Sequence, residues 1–578
     1  MDQVSSSWWE EDLTNGEREH RVRNWLGRVL RDEPQRYRAH ERVLRIWGRT
    51  NADVASSMSL PDYQAAKDVP AWNVVRNVVE ALHADLLTNR PRIAVIPRAE
   101  DTETRWSLLR AARRAENWLD GWWDASSVQG VMSEVALDGL LFDGAAVVVH
   151  EDGALERIPP WHLHVDPVEG GSPKTWCVTR WLPIWEAKDR WGDDVRTDGK
   201  TPGWSANVAW PRSEESVLVA ELWHSGAWRM VLVGEEIVES EAWNNDAPVV
   251  TWRWQHPLVG WWSDSPAYQL VGLQWELQQD REAIARAHRL LGRSKLLWPE
   301  ECGAPSSQWD SETASIIRVK NTRSGIPTVL TPQSVAPEMY RWVDVLRASA
   351  YEMVGASQIS ATASLPASIS GSGKSIEVYE DATSRRHLPQ QRAWEQTHVE
   401  IARKALALAK GSTTVRTIGD RRVTIDAASF MGVLDQYDCA TYPVAFLSRS
   451  PSGRLRDLER WIAFGWVTRE EAMRLAEIPS TSSYATLQTT MLDAVTADAE
   501  ALLDGEKKYP DEYYDLELIL RVMPRVYRRA AMDGAPQQIL DSIDAYIQQA
   551  RAMLPAPQQQ APTAQDMNAM RQIAMGGS

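Results

Sequence analysis

The stretch that comes nearest to a reaction is Gly371-Ser372-Gly373-Lys374-Ser375. A glycine-rich loop ending in Lys-Ser cradles nucleotide phosphates when another Gly stands five residues before its Gly-Lys pair, where it permits the tight turn. Counting back five from Gly373 gives Ser368. The preceding ATASLPASI is no buried strand, and no downstream apolar strand ends in an Asp able to hold magnesium. The segment reads as a flexible loop that enters a helix, with Lys374 free to meet a passing phosphate. His162, His164 and Asp166, in WHLHVDP, are a second group. On a strand they share one face and could offer metal ligands. A half-buried strand alternating polar and apolar residues produces the same pattern, and no metal is expected there. Neither a GxSxG elbow nor an HExxH helix occurs. Glu10, Glu11 and Asp12 read as a solvated face. No catalytic, cofactor-binding or metal-binding residue is assigned, and the chain is not expected to be an enzyme.

The elements that would position such groups belong to a chain of 578 residues with a net charge of −16. That length predicts about three or four structural units. Apolar residues at 43% and charged residues at 25% allow a sizeable core. Cys177, Cys302 and Cys439 are far apart, which excludes a disulfide scaffold and fits a reducing cytosol. No run reaches the roughly 18–20 apolar residues that span a bilayer, and MDQVSSSWWEEDLTNGEREH has no signal-peptide core. A soluble intracellular product without membrane contact is expected. The acidic balance argues against tight duplex binding by phosphate neutralisation, but not against a surface that lets DNA slide. There are 30 Trp against 4 Phe, and 52 Arg against 11 Lys. These biases match GC-rich codons. The Trp are scattered in helical phase, unlike a stacking platform for nucleic acid.

Periodicity predicts an α+β fold, mostly helical. An Arg-rich helix is expected over 17–49, a helix over 73–89, a short strand at RIAVIP, and helices over about 102–124 and 128–142. After Gly144 the period falls to two through AAVVVH, the turn Asp152-Gly153, ALERI and WHLHVDP. Further strands are expected at 175–182, 215–223, 227–233 and 248–254, with a short helix at IWEAKDRW. Ser265 and Pro266 mark a helix start, and Leu270, Leu273, Leu277, Ile284, Ala287 and Leu291 carry it to about Leu297. So long a seam wants a partner helix. Pro337 opens one with Val343, Leu346, Ala350 and Val354 in phase, ended by Gly355. Between them lies a proline-rich excursion with one strand-like piece, IIRV. A long helix from Ile376 to Lys410 is expected to kink at Pro389, followed by a hairpin at 413–430. From Pro451 the pattern is helical, with a Thr468–Glu471 capping box and breaks at Gly505 and Gly534.

In this order the pieces resemble a tailed-bacteriophage portal protein (head-to-tail connector). The segments that carry the likeness are NVVRNVVEALHADLLTNRPRIAVIP, ALDGLLFDGAAVVVHEDGALERIPPWHLHVDP, QHPLVGWWSDSPAYQLVGLQWELQQDREAI, LPASISGSGKSIEVYEDA and the helical stretch after SRSPSGRL. The resemblance covers about 70–550 and is one of order and texture. It implies an N-terminal helical segment over 1–70, a wing over 71–262, and a first stem helix over 263–297. A small α/β clip then occupies 298–335, a second stem helix 336–357 and a tunnel loop 358–374. The wing's kinked helix and hairpin follow over 375–440, a helical crown over 441–553, and a disordered tail over 554–578. The tunnel loop would present Gln358, Ser360, Thr362, Ser364, Ser368, Ser370, Ser372 and Lys374 to the DNA channel.

The family resemblance further implies a ring of twelve copies at one capsid vertex of the virion, assembled in the host cytoplasm. Double-stranded DNA would pass through its lumen during packaging and ejection. Large terminase, a neck or adaptor protein, and capsid and scaffolding proteins would be its partners. A Ser/Gly loop with one Lys suits such a pore, because multivalent phosphate capture would stall DNA. The Arg-rich helix at 17–49 has no place in the family pattern. Two alternatives come from other classes: a P-loop-like nucleotide-binding enzyme using Lys374 and Ser375, and a minor capsid or adaptor scaffold that forms no ring.

Overall fold

Thr14 and Glu17 form the capping box that starts the first helix: Thr14 Oγ1 accepts from the Glu17 amide, and Glu17 accepts from the Thr14 amide. The computed structural model describes residues 7–31, 33–47, 72–87, 91, 93–98, 102–192, 216–291, 295–297, 328–330, 336–356, 386–416, 422–441, 458–464, 483–511 and 513–554. Among these, the helices in chain order are α1 (Asn15–Val29), α2 (Glu33–Trp47), α3 (Val74–Leu87), α4 (Thr102–Ala125), α5 (Val128–Leu141) and α6 (Ile184–Trp191). They continue with α7 (Pro266–Leu291), α8 (Pro337–Val354), α9 (Leu388–Ala407), α10 (Ser483–Leu503), α11 (Leu516–Met532) and α12 (Gln537–Met553). The strands are β1 (Ile93–Pro97), β2 (Ala145–Val149), β3 (Leu155–Ile158), β4 (Leu163–Val165), β5 (Thr175–Pro183), β6 (Ser216–His224) and β7 (Trp228–Val233). The rest are β8 (Glu236–Ala242), β9 (Val249–Trp252), β10 (Lys295–Leu297), β11 (Thr328–Leu330), β12 (Ser412–Arg416), β13 (Arg422–Asp426) and β14 (Tyr437–Thr441). The fold is mixed α+β and mostly helical.

Two compact units divide the chain. The first comprises Met1–Thr88, Gly130–Val149 and Leu155–Thr397, and the second Asn89–Gln129, His150–Ala154 and His398–Ser578.

In the first unit, the single helix expected over 17–49 is two helices, α1 and α2. Pro34 is the reason: its ring has no N–H to give and clashes with the carbonyl four residues back, so α1 cannot continue through it. The five-stranded sheet runs β4-β5-β6-β7-β8, antiparallel throughout. Its two faces follow from the period of two along β6. Leu218, Ala220 and Leu222 pack with Met230 and Leu232 against Val22, Trp25, Leu26 and Val29 of α1. Val217 and Val219 pack with Val231 and Val233 against Ala187 of α6. The Arg-rich N-terminal helix is therefore a cover for this sheet. Sequence reading missed β8, whose Glu236, Glu239 and Glu241 hide its period. Those charges suit an edge strand, where they discourage further pairing.

A second sheet in this unit, β3-β2-β9, carries a fully buried β2. Trp252 of β9 lies T-shaped to Trp254 and to Trp394 of α9. Gly139 of α5 faces the same indole: a Cβ there would stand 2.3 Å from Trp252 Cε3. With Trp252 only 1% exposed, the ring has nowhere to move. Gly139→Ala is expected to cost about 1–3 kcal/mol by overpacking, although alanine is the better helix former. Unchanged hydrogen-exchange protection of the 128–141 amides would show that the indole has room to shift.

In the second unit, α4 packs against the β1-β14 pair and the β12-β13 hairpin, with Trp118 T-shaped to Phe430. Trp122 Nε1 donates to the Gly153 carbonyl at 2.7 Å, and Gly153 holds a φ of 86° that favours glycine. β12 and β13 fall in the segment read as a hairpin. β14, which pairs with β1, was not anticipated. Helices α10, α11 and α12 form a bundle around Val495, Leu502, Ile519, Met523, Ile543 and Tyr546.

Candidate functional site

The first candidate is built on α7 and α8. Ser265 Oγ accepts from the Tyr268 amide at 3.0 Å and donates to the Leu141 carbonyl at 2.8 Å, so it caps α7 and ties it to α5. Leu270 and Leu277 are buried, as are Val343, Leu346, Ala350 and Val354 of α8. The two helices pack on each other and on α3. Their sense is antiparallel, because His288 near the end of α7 shares a hydrogen bond with Tyr340 near the start of α8. Gln274 of α7 takes the Val74 amide at 2.9 Å and gives to the Trp72 carbonyl at 2.9 Å, capping α3 from outside. Gly355, at φ 78°, ends α8 in the left-handed conformation.

The helix expected to reach Leu297 ends at Leu291. Lys295–Leu297 is instead β10, in antiparallel register with Thr328–Leu330. Ladder bonds satisfy the backbone of this KLL run, and Pro299 lies just beyond it. The excursion between the helices is thus drawn together near both helix ends. IIRV lies outside the described residues.

One flank of α8, beside the buried seam, carries exposed apolar residues. Met339, Trp342, Val345 and Met353 recur at helical spacing and are all exposed, Trp342 by 49% and Val345 by 50%. Tyr268 and Trp275, two turns apart on α7, are exposed too. Nearby, the guanidinium carbons of Arg281 and Arg347 stand 5.4 and 6.0 Å from the Trp72 ring centroid.

The second candidate is a buried ionic cluster centred on Arg36 of α2. Its Nε donates to Asp143 Oδ2 at 2.5 Å, and its Nη1 to Glu33 Oε2 at 2.9 Å and to the Leu163 carbonyl at 3.1 Å. Nη2 reaches Asp143 Oδ1 at 3.3 Å and also the Pro160 carbonyl, while the guanidinium stacks 3.2 Å from the Trp262 ring centroid. His40 Nε2 lies 2.9 Å from Asp143 Oδ1. Burial by itself would raise the Asp143 carboxyl, but Arg36 and His40 outweigh it and hold the group down to about 2. Glu33 is held below its ordinary value in the same way, by Arg36 and His164 against its burial. The set fastens α2 to the β4 strand and to the α5–β2 connection. Sequence reading missed it. The available signal was Glu33, Arg36 and His40 standing in the helical phase of Val43, where apolar residues belong.

His162, His164 and Asp166 do not converge on a metal position. His162 Nδ1 and His164 Nε2 both meet Thr179 Oγ1, at 3.2 and 3.0 Å, His164 Nδ1 faces Glu33, and Asp166 pairs with Arg28. Among the described residues no group of three or more His, Cys, Asp or Glu could hold a metal ion. Burial raises the Cys177 thiol far above its ordinary value and the Cys439 thiol to about 11, so neither offers a thiolate at neutral pH. The loop residues Gln358, Ser360, Thr362, Ser364, Ser368, Ser370, Ser372 and Lys374 lie outside the described residues, as do Ser375 and the Thr468–Glu471 pair. The helix predicted from Ile376 begins, within the described residues, at Leu388. Pro389 thus sits in its first turn, where a missing N–H costs nothing, instead of kinking its middle.

No helix among the described residues is long and apolar enough to cross a membrane. No protein-family model matches the chain, and no curated protein matches it.

Proposed function

We infer that the chain is a portal subunit of a tailed bacteriophage. In this reading it assembles as a ring, twelve copies by family resemblance, at one capsid vertex of the virion. The ring is built in the host cytoplasm and conducts double-stranded DNA during packaging and ejection. The single observation that carries the reading is the antiparallel α7–α8 pair, whose connecting excursion is drawn together by β10 and β11. Such a unit is what a two-helix stem with a clip at its tip requires. The clip is the surface offered to large terminase and later to a neck or adaptor protein, and the capsid and its scaffold would hold the ring from outside.

Two further features support the reading. The exposed Met339, Trp342, Val345 and Met353 on one flank of α8 suit packing between neighbouring copies, where exposed apolar side chains are buried on association. A net charge of −16 per chain gives a ring that repels DNA at long range, leaving sparse contacts, Lys374 among them, to guide it. The subunit performs no bond chemistry of its own in this reading; the packaging work belongs to the motor that docks on it. Negative-stain electron microscopy of the purified full chain, alone and with a candidate neck protein, is the test. Rings with a central hole are expected. Compact single-chain particles in both preparations would overturn the reading in favour of a scaffold that forms no ring.

A further inference from the structure

We propose that the exposed arginines of α11 form a contact surface for the phosphate backbone of duplex DNA. Ile519, Met523 and Ala530 of this helix are buried in the three-helix bundle. Arg521, Arg525 and Arg528 are exposed on the opposite side. At 100° and 1.5 Å per residue the three lie within about 60° of arc and span about 10 Å. A duplex carries about six phosphate charges over that length.

Like charges at this spacing repel one another. Among the described residues none of the three has an ion-pair partner, Glu517 one turn before Arg521 included. Their neighbour Arg529 differs, because its Nε donates to Asp533 at 2.9 Å. Four carboxylates of the bundle are engaged elsewhere. Asp504 takes Arg110 and Arg114, Glu500 lies 3.8 Å from Arg113, and Asp533 lies 3.8 Å from Arg105. Asp498 accepts from Tyr514 at 2.8 Å and from Tyr546 at 2.9 Å. The stripe is thus three exposed cations without an ion-pair partner among the described residues, in a chain of net charge −16, and an anion from outside would complement it.

A regular polyanion fits better than an acidic protein face. Each guanidinium can fork a phosphate with two parallel hydrogen bonds, and a backbone offers phosphates at every step along the helix. The choice of DNA as the polyanion rests on the portal reading, whereas the cation stripe does not.

The test is fluorescence anisotropy of the full chain with a labelled mixed-sequence duplex, between 50 and 200 mM KCl. Three phosphate contacts contribute about 2.7 to the slope of log K against log salt per engaged chain, about a 40-fold loss of affinity across that range. Arg521→Gln/Arg525→Gln/Arg528→Gln should lose this part of the slope, and the corresponding triple Lys variant should keep it. Arg525→Gln alone should lower the slope by about 0.9, which keeps the test open if the triple variant folds poorly. Equal slopes in wild type and Gln variants, with rings still seen by microscopy, would overturn this proposal and leave the portal reading standing. An unchanged slope with altered assembly would mean that the stripe meets an acidic face of another copy, and would equally overturn it. A lost slope in a chain that forms no rings would support the stripe and sink the ring.

Discussion

Replacing Arg36 by methionine is expected to lower the local stability of α2 by about 3–5 kcal/mol. The substitution fills most of the volume but strands the Asp143 and Glu33 carboxylates, of which Glu33 is only 3% exposed. Removing one member of a buried ion pair leaves the other uncompensated in a medium that solvates it poorly. Two carbonyls, of Leu163 and Pro160, lose their donor in the same step. With several structural units in one chain, a single unfolding midpoint is not well defined. Hydrogen exchange of the 33–47 amides reads the effect directly. Their protection should fall about a hundred- to several-thousand-fold, since each 1.4 kcal/mol is a factor of ten. Arg36→Met combined with Glu33→Leu and Asp143→Leu should recover much of the loss, because an apolar replacement of the whole set removes the stranded charges. A single-variant loss below about 1 kcal/mol would mean that water reaches the carboxylates once the guanidinium is gone.

If the chain assembles as the proposed portal ring, Trp342→Glu/Val345→Glu is expected to convert rings to single chains while leaving the fold intact. Both side chains are about half exposed in the isolated subunit, so replacing them loses only part of the roughly 1.5–3 kcal/mol that full burial of an apolar side chain contributes. In a ring the same positions would press against a neighbour, where an unpaired carboxylate costs several kcal/mol of desolvation. Each copy contributes to two interfaces in a closed ring, so the penalty recurs at every contact. Mass photometry of wild type and variant at equal concentration separates the outcomes. A variant that still forms rings would mean that this side of α8 faces solvent in the assembly, and the ring contacts would have to be sought elsewhere.

Much of the local architecture can be read without any structure. Val75, Val78, Val79, Leu82 and Leu86 specify α3 by spacing alone, and all five are buried. Ser265-Pro266 and Gly355 punctuate α7 and α8 where their cap chemistry predicts. The short β-branched and apolar runs at 145–149 and 175–182 are strands as their composition predicts. These signals are local: a cap, a turn or an apolar period acts within a few residues and leaves its mark there. Of the candidate surfaces, the buried seam of α8 was legible and its exposed apolar side was not. Periodicity tells which residues a helix will bury, but an apolar residue flanking the seam looks like a wider seam until the neighbours are in place.

The sequence by itself determined a helix-rich α+β chain and most of its element boundaries. Only the tertiary structure decided the long-range partners. β1 pairs with β14, a strand more than three hundred residues away whose YDCAT carries no clear alternation. The Arg-rich segment at 17–49 became a sheet cover and an ionic anchor because Arg36 found Asp143, 107 positions along the chain. The break before Leu297 belongs here as well, since Lys295–Leu297 continues a helical period and becomes a strand only by pairing with Thr328–Leu330. The physical reason is common to all three. Backbone groups and buried charges must be satisfied by some partner, and which partner is available depends on how distant segments pack.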